Sequence, residues 1–107
     1  MCGRYTLFTQ KEQRELYNIL KEADEKLKRS SAESKQLKTG EIYPTNLVPV
    51  LVREGECVSV EVSRWGFPNY NNKGVIINAR AETAEDKRMF SKPLKTMRCV
   101  VPSTGFY

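Results

Sequence analysis

The chain opens with a residue pair that can react covalently with an aldehyde. Cys2 directly follows the initiator Met1, and a second residue as small as cysteine normally permits removal of that methionine. The mature chain would then carry an α-amine and a thiol on one residue. The amine can condense with an aldehyde, and the neighbouring thiolate can close onto the imine carbon to give a five-membered thiazolidine. On position alone, the simpler interpretation is a small residue at a frayed terminus.

The chain contains no histidine, which limits its acid–base chemistry. Histidine is the commonest general base and metal ligand, so proton transfer would have to use carboxylates, an amine or a thiol. An α-amine has a reference pKa of about 8 and a thiol of about 8.5, and the nearby Arg4 would favour the thiolate. We expect neither a metal ion nor a cofactor.

The cysteine spacing and the charge balance indicate a compartment and a class of partner. Cys2, Cys57 and Cys99 fit neither a zinc site nor a disulfide framework, which is typical of a reducing cytoplasm. The sequence has 18 basic and 13 acidic residues and a net charge of +5. This balance suits a polyanion such as nucleic acid, although solubility alone also explains it.

The length and hydropathy pattern place further limits on the class of protein. The 107 residues suffice for one small domain or a piece of one. No apolar run is long enough to cross a membrane, and no segment has the pattern of a signal peptide. We therefore expect a cytoplasmic protein, associated with the nucleoid if the source is bacterial.

One long helix is predicted near the amino end. Thr9 and Glu12 form a capping box, so the helix should run from about Gln10 to Arg29. Charged side chains four residues apart should pair on its exposed face: Glu22 with Lys26, Asp24 with Lys28, and Glu25 with Arg29. Its apolar stripe indicates a packing role: Leu16, Ile19, Leu20, Ala23 and Leu27.

Short strands make up most of the remaining pattern. Five segments read as strands: 2–8, 47–52, 58–62, 75–77 and 98–101. Pro49 favours an edge or bulged strand, and the turn at Glu54-Gly55 predicts a hairpin. A short helix is expected from Thr83 through Phe90, and Pro93 should end any helical structure beyond it. A further strand begins at Gly105-Phe106-Tyr107. With about six short strands, two helices and no βαβ alternation, we predict an α+β domain with a curved, mostly antiparallel sheet.

Four polar residues stand out from an ordinary surface, namely Asn46, Asn78, Arg80 and Arg88. Asn78 follows the apolar run 75–77, where an amide is commonly a satisfied turn residue but can also orient a reacting group. Arg80 should point to the same side as Asn78, and an amide beside a guanidinium suits a phosphate. An ion pair of Arg80 with Glu82 is an equal alternative.

Two aromatic residues could stack on nucleobases. Trp65 follows an alternating strand, so we prefer a core position for it. Tyr70 lies in an asparagine-rich loop and should be exposed.

Motifs along the whole chain together resemble the SOS-response-associated peptidase (SRAP) family, whose members form DNA–protein crosslinks at abasic sites. The motifs occur in the same order as in the family. Met-Cys-Gly-Arg at the start together with the Asn-Ala-Arg run is specific to that family. The resemblance is carried by these segments: Met1-Cys2-Gly3-Arg4-Tyr5, Pro44-Thr45-Asn46 with Val48-Pro49, Trp65-Gly66-Phe67, Ile77-Asn78-Ala79-Arg80-Ala81-Glu82-Thr83, Arg88-Met89-Phe90 with Lys92-Pro93-Leu94, and Gly105-Phe106-Tyr107.

The resemblance implies roles for individual residues. Cys2 would join the ring-opened sugar aldehyde of an abasic site as a thiazolidine, and Asn78 would hold the Cys2 end and the sugar in place. Further contacts to single-stranded DNA are implied by the same resemblance: Gly3 and Asn46 lining the pocket, Arg4, Arg80 and Arg88 on phosphates. Tyr70 occupies the region where some members carry paired tryptophans, so base stacking there should be weaker.

The resemblance also implies that the chain is the first half of the family's domain, whose complete sheet is barrel-like. The family pattern continues after Gly-Phe-Tyr with Glu-Trp and later with a catalytic histidine, beyond Tyr107. We therefore expect an unfinished sheet edge that associates with another copy or with the carboxyl-terminal half. Peptidase activity, including removal of Met1, and lyase activity are implied possibilities. The alternative functions are a cysteine-dependent peptidase with an N-terminal nucleophile and a non-catalytic single-strand binder.

Overall fold

The computed structural model describes residues 3–8, 13–30, 36–69, 71 and 73–107. In chain order, the elements of this part are β1 (Tyr5–Leu7), α1 (Arg14–Ser30), β2 (Gly40–Ile42), β3 (Leu47–Glu54), β4 (Cys57–Arg64), β5 (Phe67–Pro68), β6 (Val75–Ile76), α2 (Arg88–Thr96), β7 (Cys99–Val100) and β8 (Gly105–Phe106). Every pairing between these strands is antiparallel, which confirms the α+β prediction.

The strands of the described residues form three small sheets without closing a barrel. Two of the sheets have three strands, in the orders β2-β1-β8 and β4-β3-β7, and the third pairs β5 with β6. The elements β1 and β8 lie at opposite ends of the sequence, so their pairing brings the two ends of the chain together. Strand β1 is thereby the central strand of its sheet.

Strand β1 supplies the centre of the hydrophobic core. Tyr5 and Leu7 are buried, and Ile42, which pairs with Tyr5, is fully buried on the same face. Thr6 is half-buried and Phe8 is exposed, so this segment has a core face and a solvent face. The strand is shorter than the predicted 2–8, because regular pairing covers Tyr5–Leu7 alone.

The helix α1 begins later than its sequence pattern predicts. Gln13 lies outside the helix, and its carbonyl accepts a hydrogen bond from the Tyr17 N–H at 2.9 Å, which places the start of the helix at Arg14. The predicted start and the capping box of Thr9 and Glu12 lie outside the described residues. The apolar stripe packs as predicted, with three members buried: Leu20, Ala23 and Leu27.

The charged pairs of α1 are partly as predicted. The Lys28 Nζ lies 3.1 Å from the Asp24 carboxylate, which confirms that pair. Lys26 does not pair with Glu22 but reaches Glu61 on β4 at 3.2 Å. That prediction is wrong because α1 packs against β4, so Lys26 lies at the contact between helix and sheet, half-buried, and not on the outer face.

Strand β3 is a regular central strand although it contains Pro49. Pro49 is fully buried and stays in register with Val62 of β4. On its other side β3 pairs with β7 through Leu51 and Val52 alone. The prediction of an edge or bulged strand is wrong for β3 as a whole, since proline is tolerated where β7 does not reach. The hairpin with β4 is confirmed, with Gly55 in the turn at a φ of +64°.

Helix α2 continues through the proline that was expected to end it. The predicted helix from Thr83 to Phe90 is wrong, because residues 81–86 form turns and α2 covers Arg88–Thr96 with Pro93 inside it. Pro93 cannot donate to the turn before it. The next turn still closes, because the Met97 N–H donates to the Pro93 carbonyl at 2.8 Å.

The pair β5–β6 joins the hairpin sheet to α2. The predicted buried strand 75–77 is reduced to Val75 and Ile76, which are half-buried. Gly66 precedes β5 with a φ of +109°, and a Cβ atom there would lie 2.6 Å from Val75 Cγ2. Glycine is therefore required both by the backbone conformation and by the closeness of Val75.

Candidate nucleic-acid interface

The guanidinium of Arg4 lies between two tyrosines on the outer face of the sheet β2-β1-β8. Tyr5 pairs with Ile42 on one side and with Phe106 on the other. Continuing this register by one residue places Arg4 across from Tyr43 and Tyr107. The Arg4 Cζ lies 4.0 Å from the centre of the Tyr107 ring, which is a close cation–π contact.

Glu41 connects the two tyrosines. The Tyr43 hydroxyl donates to one carboxylate oxygen of Glu41 at 2.8 Å, and the Tyr107 hydroxyl donates to the other at 2.9 Å. Both oxygens of one carboxylate therefore hold a ring in place. We call Arg4, Glu41, Tyr43 and Tyr107 the arginine cluster.

The electrostatics of the arginine cluster agree with its geometry. Hydrogen bonds from Tyr43 and Tyr107 hold the pKa of Glu41 below its ordinary value, and the charge of Arg4 adds to this. The hydrogen bond to Glu41 raises the pKa of Tyr107. The pKa of Arg4 is raised, chiefly by a hydrogen bond with the Tyr43 side chain. Each charge in the cluster is thus kept in its ionised form near neutral pH.

Asn46 is the residue that closes a tight turn before β3. Its side-chain oxygen accepts from the Tyr43 N–H at 2.8 Å, and its own N–H donates to the Tyr43 carbonyl at 3.1 Å. Thr45 between them has a φ of +77°, which is unusual for a β-branched residue. The amide oxygen of Asn46 therefore stabilises this turn, and its predicted contact with DNA stays a prediction.

Asn78, Arg80 and Arg88 lie on the segment that leads from β6 into α2. All three are exposed. The Arg80 carbonyl accepts from the Thr83 and Ala84 N–H groups at 3.2 and 2.9 Å, so a compact turn follows it directly. The alternative ion pair of Arg80 with Glu82 is not among the ion pairs of the described residues.

Two aromatic contacts connect this segment to the amino-terminal sheet. The rings of Tyr5 and Trp65 lie 5.5 Å apart, and those of Phe67 and Phe90 meet edge to face at 5.2 Å. Trp65 is half-buried and packs on the core, as predicted. Aromatic packing thereby connects β1, which directly follows Arg4, with α2, which begins at Arg88.

Three predicted site residues remain to be placed. Gly3 is exposed, directly before Arg4, and has open space around its Cα. Cys2 and Tyr70 lie outside the described residues, so their roles stay predictions. Among the described residues, no three side chains of the His, Cys, Asp and Glu types lie together as a metal site would require.

Sequence reasoning missed Glu41, Tyr43 and Tyr107. A weak signal existed, because Glu41 and Tyr43 flank the apolar Ile42 and so share the solvent face of one strand. The third member could not be found in this way. Tyr107 reaches the cluster through the pairing of β8 with β1, which no local pattern reveals.

A separate apolar cavity of about 340 Å³ lies beside the core. Its lining includes Tyr5, Trp65, Cys99 and Val101. The Tyr5 hydroxyl is buried and has no hydrogen-bond partner among the described residues. Burial raises the pKa of Tyr5 to about 12, with a smaller effect from Cys99. The lining is mostly apolar, although it also includes Arg64.

No helix in the described part of the chain is long and apolar enough to span a membrane.

Known proteins similar to this chain share one theme. A family model described as SOS response associated peptidase (SRAP) matches residues 1–107. The abasic site processing protein YoqW of Bacillus subtilis strain 168 is 32% identical over the whole chain, which covers 47% of that protein. The abasic site processing protein YobE of the same organism is 31% identical, with 48% of it covered. The chain thus spans about half the length of the curated relatives it matches.

Proposed function

Because this chain belongs to the SOS response associated peptidase (SRAP) family, we propose that it acts in the DNA damage response by processing abasic sites in single-stranded DNA. The names of its relatives state abasic site processing. DNA that contains an abasic site is a polyanion that carries an aldehyde. A basic surface beside an amino-terminal cysteine suits both properties of that substrate.

The proposed reaction begins when Met1 is removed and the Cys2 amine becomes free. The amine attacks the sugar aldehyde, and loss of one water gives an imine. The Cys2 thiolate then adds to the imine carbon, and the nitrogen takes up the proton that the thiol gave up. One C–N and one C–S bond have formed, and the product is a thiazolidine crosslink.

The other residues of the proposed site bind and orient the strand. Asn78 holds the sugar and the Cys2 end through its amide dipole. Arg4, Arg80 and Arg88 contact phosphates, where a guanidinium can form two parallel hydrogen bonds. Gly3 and Asn46 line the pocket, and Tyr70 stacks weakly on a base.

The observation that carries this proposal is the position of Arg4. It is two residues from the proposed nucleophile, and its guanidinium is held on the Tyr107 ring at 4.0 Å. A cation fixed beside the amino end would place a phosphate of the strand next to the reacting amine and thiol. Holding reactants in one geometry is a large part of catalysis.

The decisive experiment is an intact mass measurement of the protein, alone and after incubation with an abasic oligonucleotide. We expect the protein mass without Met1, followed by an adduct that equals protein plus oligonucleotide minus one water. An oligonucleotide whose abasic site is a tetrahydrofuran, which has no aldehyde, is the matched control. Adduct formation with that control would contradict the aldehyde chemistry, and a duplex arm tests the single-strand preference.

Two other functions can be distinguished from this one, because neither of them depends on the aldehyde. A peptidase with an N-terminal nucleophile would cleave peptides whether or not DNA is present. A non-catalytic binder would hold intact and abasic strands equally. Removal of Met1 by the chain itself and strand cleavage by a lyase step are compatible with the crosslinking function, which would operate in the cytoplasm, at the nucleoid in a bacterium.

Exposed apolar side chains on three edge strands support a further part of this proposal, namely that the chain works as one half of a larger domain. Three large side chains on β4, β7 and β8 are strongly exposed: Val58 at 70%, Val100 at 61% and Phe106 at 82%. Exposed apolar side chains near sheet edges are typical of an interface. We propose that polypeptide equivalent to the unmatched half of the relatives covers them, either as part of the same protein or by association.

A further inference from the structure

We infer that Glu41 is a positioning residue for DNA binding: by holding Tyr43 and Tyr107 it fixes Arg4 in the orientation that receives a phosphate of the strand. This inference rests on the proposed function for the role of Arg4. It adds a residue that no motif or family feature of the sequence assigns to the site. It also predicts whether removing the charge of that residue weakens or strengthens DNA binding, which can be measured.

The geometry gives Glu41 a specific task. One carboxylate accepts a hydrogen bond on each oxygen, at 2.8 Å from Tyr43 and 2.9 Å from Tyr107. Either hydroxyl alone would leave its ring able to rotate about its side-chain torsions. Two hydroxyls on one anion fix both rings, and the Tyr107 ring in turn carries the Arg4 guanidinium.

A fixed guanidinium matters because Arg loses rotamer freedom when it binds. Fixing a long side chain in one conformation costs rotamer entropy. A planar guanidinium that is already stacked has lost part of this entropy before the ligand binds. A phosphate would then meet its donors in one plane, which favours bidentate binding.

Charge alone predicts the opposite effect of Glu41. A carboxylate close to a DNA-binding arginine repels the phosphate backbone, so removing it should strengthen binding if only charge counts. If Glu41 acts by positioning, removing its charge should weaken binding. The two explanations therefore differ in the sign of one measured change.

The test compares Glu41→Gln with Glu54→Gln in binding to single-stranded DNA that contains an abasic site. Glu54 is an exposed carboxylate at the end of β3, so both variants raise the net charge by one unit. We expect Glu41→Gln to raise the Kd by roughly two- to fivefold, the contribution of an exposed charged contact. Glu54→Gln should leave the Kd unchanged or lower it.

A second variant removes the Tyr107 hydroxyl and keeps its ring. Tyr107→Phe should weaken binding in the same direction as Glu41→Gln. The double variant should weaken binding less than the sum of the two single changes, because all three groups act as one unit. Independent, additive effects would contradict the inference, and unchanged thermal unfolding would exclude a general loss of structure.

A readout that needs no DNA separates this inference from the proposed function. Glu41 raises the pKa of Tyr107, so Glu41→Gln should lower it, as followed by NMR of the Tyr107 ring carbon that carries the hydroxyl. An unchanged titration overturns the inference whatever DNA does. A shifted titration with DNA binding strengthened as in Glu54→Gln overturns positioning but leaves the proposed function intact. A wild-type protein that binds no DNA overturns both.

Discussion

The two basic regions of the molecule hold their arginines in different ways. On the sheet β2-β1-β8, Arg4 is part of a cluster in which the Tyr107 ring lies 4.0 Å away and Glu41 accepts two hydrogen bonds. Between β6 and α2, Arg80 and Arg88 are exposed, and their side chains have no hydrogen bond or ion pair among the described residues. One region is ordered in advance, and the other can adapt to a strand.

If the chain binds single-stranded DNA as proposed, this difference implies that the two regions contribute to binding in different ways. A preorganised cation defines where a ligand sits, since little of its binding energy is spent on ordering the side chain. Exposed arginines on a turn and a helix start add attraction with less demand on the position of each phosphate. The region next to Cys2 would therefore set geometry, whereas the region after Asn78 would set affinity.

The largest expected effect comes from removing the proposed nucleophile. Cys2→Ala and Cys2→Ser should abolish the stable adduct with abasic DNA, because serine offers no thiolate of useful nucleophilicity. Non-covalent binding should persist, since the arginines of both regions remain. Intact mass and a binding titration on the same samples check this. Crosslinking by Cys2→Ala at the wild-type level would show that the aminothiol mechanism is wrong.

Gly66→Ala should break the connection between the two regions. A Cβ atom at Gly66 would lie 2.6 Å from Val75, and the backbone there has a φ of +109°. The free energy of unfolding should therefore fall by roughly 1–3 kcal/mol or more. Gly74→Ala is the matched control, because its φ is +71° but nothing lies within 4 Å of the added Cβ. Chemical denaturation measures both. Equal losses would mean that the contact with Val75 contributes nothing.

Charge reversal should distinguish specific phosphate contacts from bulk charge. Arg80→Glu and Arg88→Glu should weaken binding to any base sequence and flatten its salt dependence, by about 0.7 in log–log slope for each lost contact on a single strand. Lys28→Glu on α1 is the control, since that lysine pairs with Asp24 at 3.1 Å, away from both regions. The same loss at Lys28 would indicate that only net charge is at work.

The smallest effect concerns acid pH and the ordered region alone. The pKa of Glu41 lies below its ordinary value of 4.5, so the stabilising charge is fully present above that value and is lost as pH falls through the lowered pKa. The Arg4 side-chain protons should then lose the ring-current shift caused by Tyr107, as seen by NMR. The exposed arginines should show no such transition. A transition that persists in Glu41→Gln would have another origin.

Local pattern predicts the parts of this fold whose pairing is local. The alternation of Val58, Val60 and Val62 and the turn at Gly55 predict the β3–β4 hairpin, and the division of faces in β1 is read directly from Tyr5 and Leu7. Pro93 was expected to end a helix because it lacks an N–H donor. The sequence does not show that the Pro93 carbonyl still accepts a hydrogen bond from Met97 in the next turn. The helix α1 begins at Arg14, after Gln13, whereas the capping box of Thr9 and Glu12 lies outside the described residues and stays a prediction.

The candidate site follows the same rule. Sequence reasoning selects Asn78, Arg80 and Arg88 as candidates on one short stretch of the chain, whereas their common exposure is seen only in the structure. The arginine cluster joins Glu41 of β2 with residues that directly flank β1, β2 and β8, and Glu41 and Tyr107 are hydrogen-bonded over a separation of 66 positions. No periodicity within one element encodes that contact, so the most ordered part of the site is also the part that sequence reasoning misses.

Trp65 gives this molecule a built-in optical probe. It is the single tryptophan of the chain, its ring lies 5.5 Å from Tyr5, and its backbone exchanges hydrogen bonds with Thr45 and Asn46 at 2.9 and 3.0 Å. Its indole therefore stands where the amino-terminal sheet meets the strand that leads to Gly66. Emission from one half-buried indole at this junction reports the coupling of the two regions directly, without a dye or an added label.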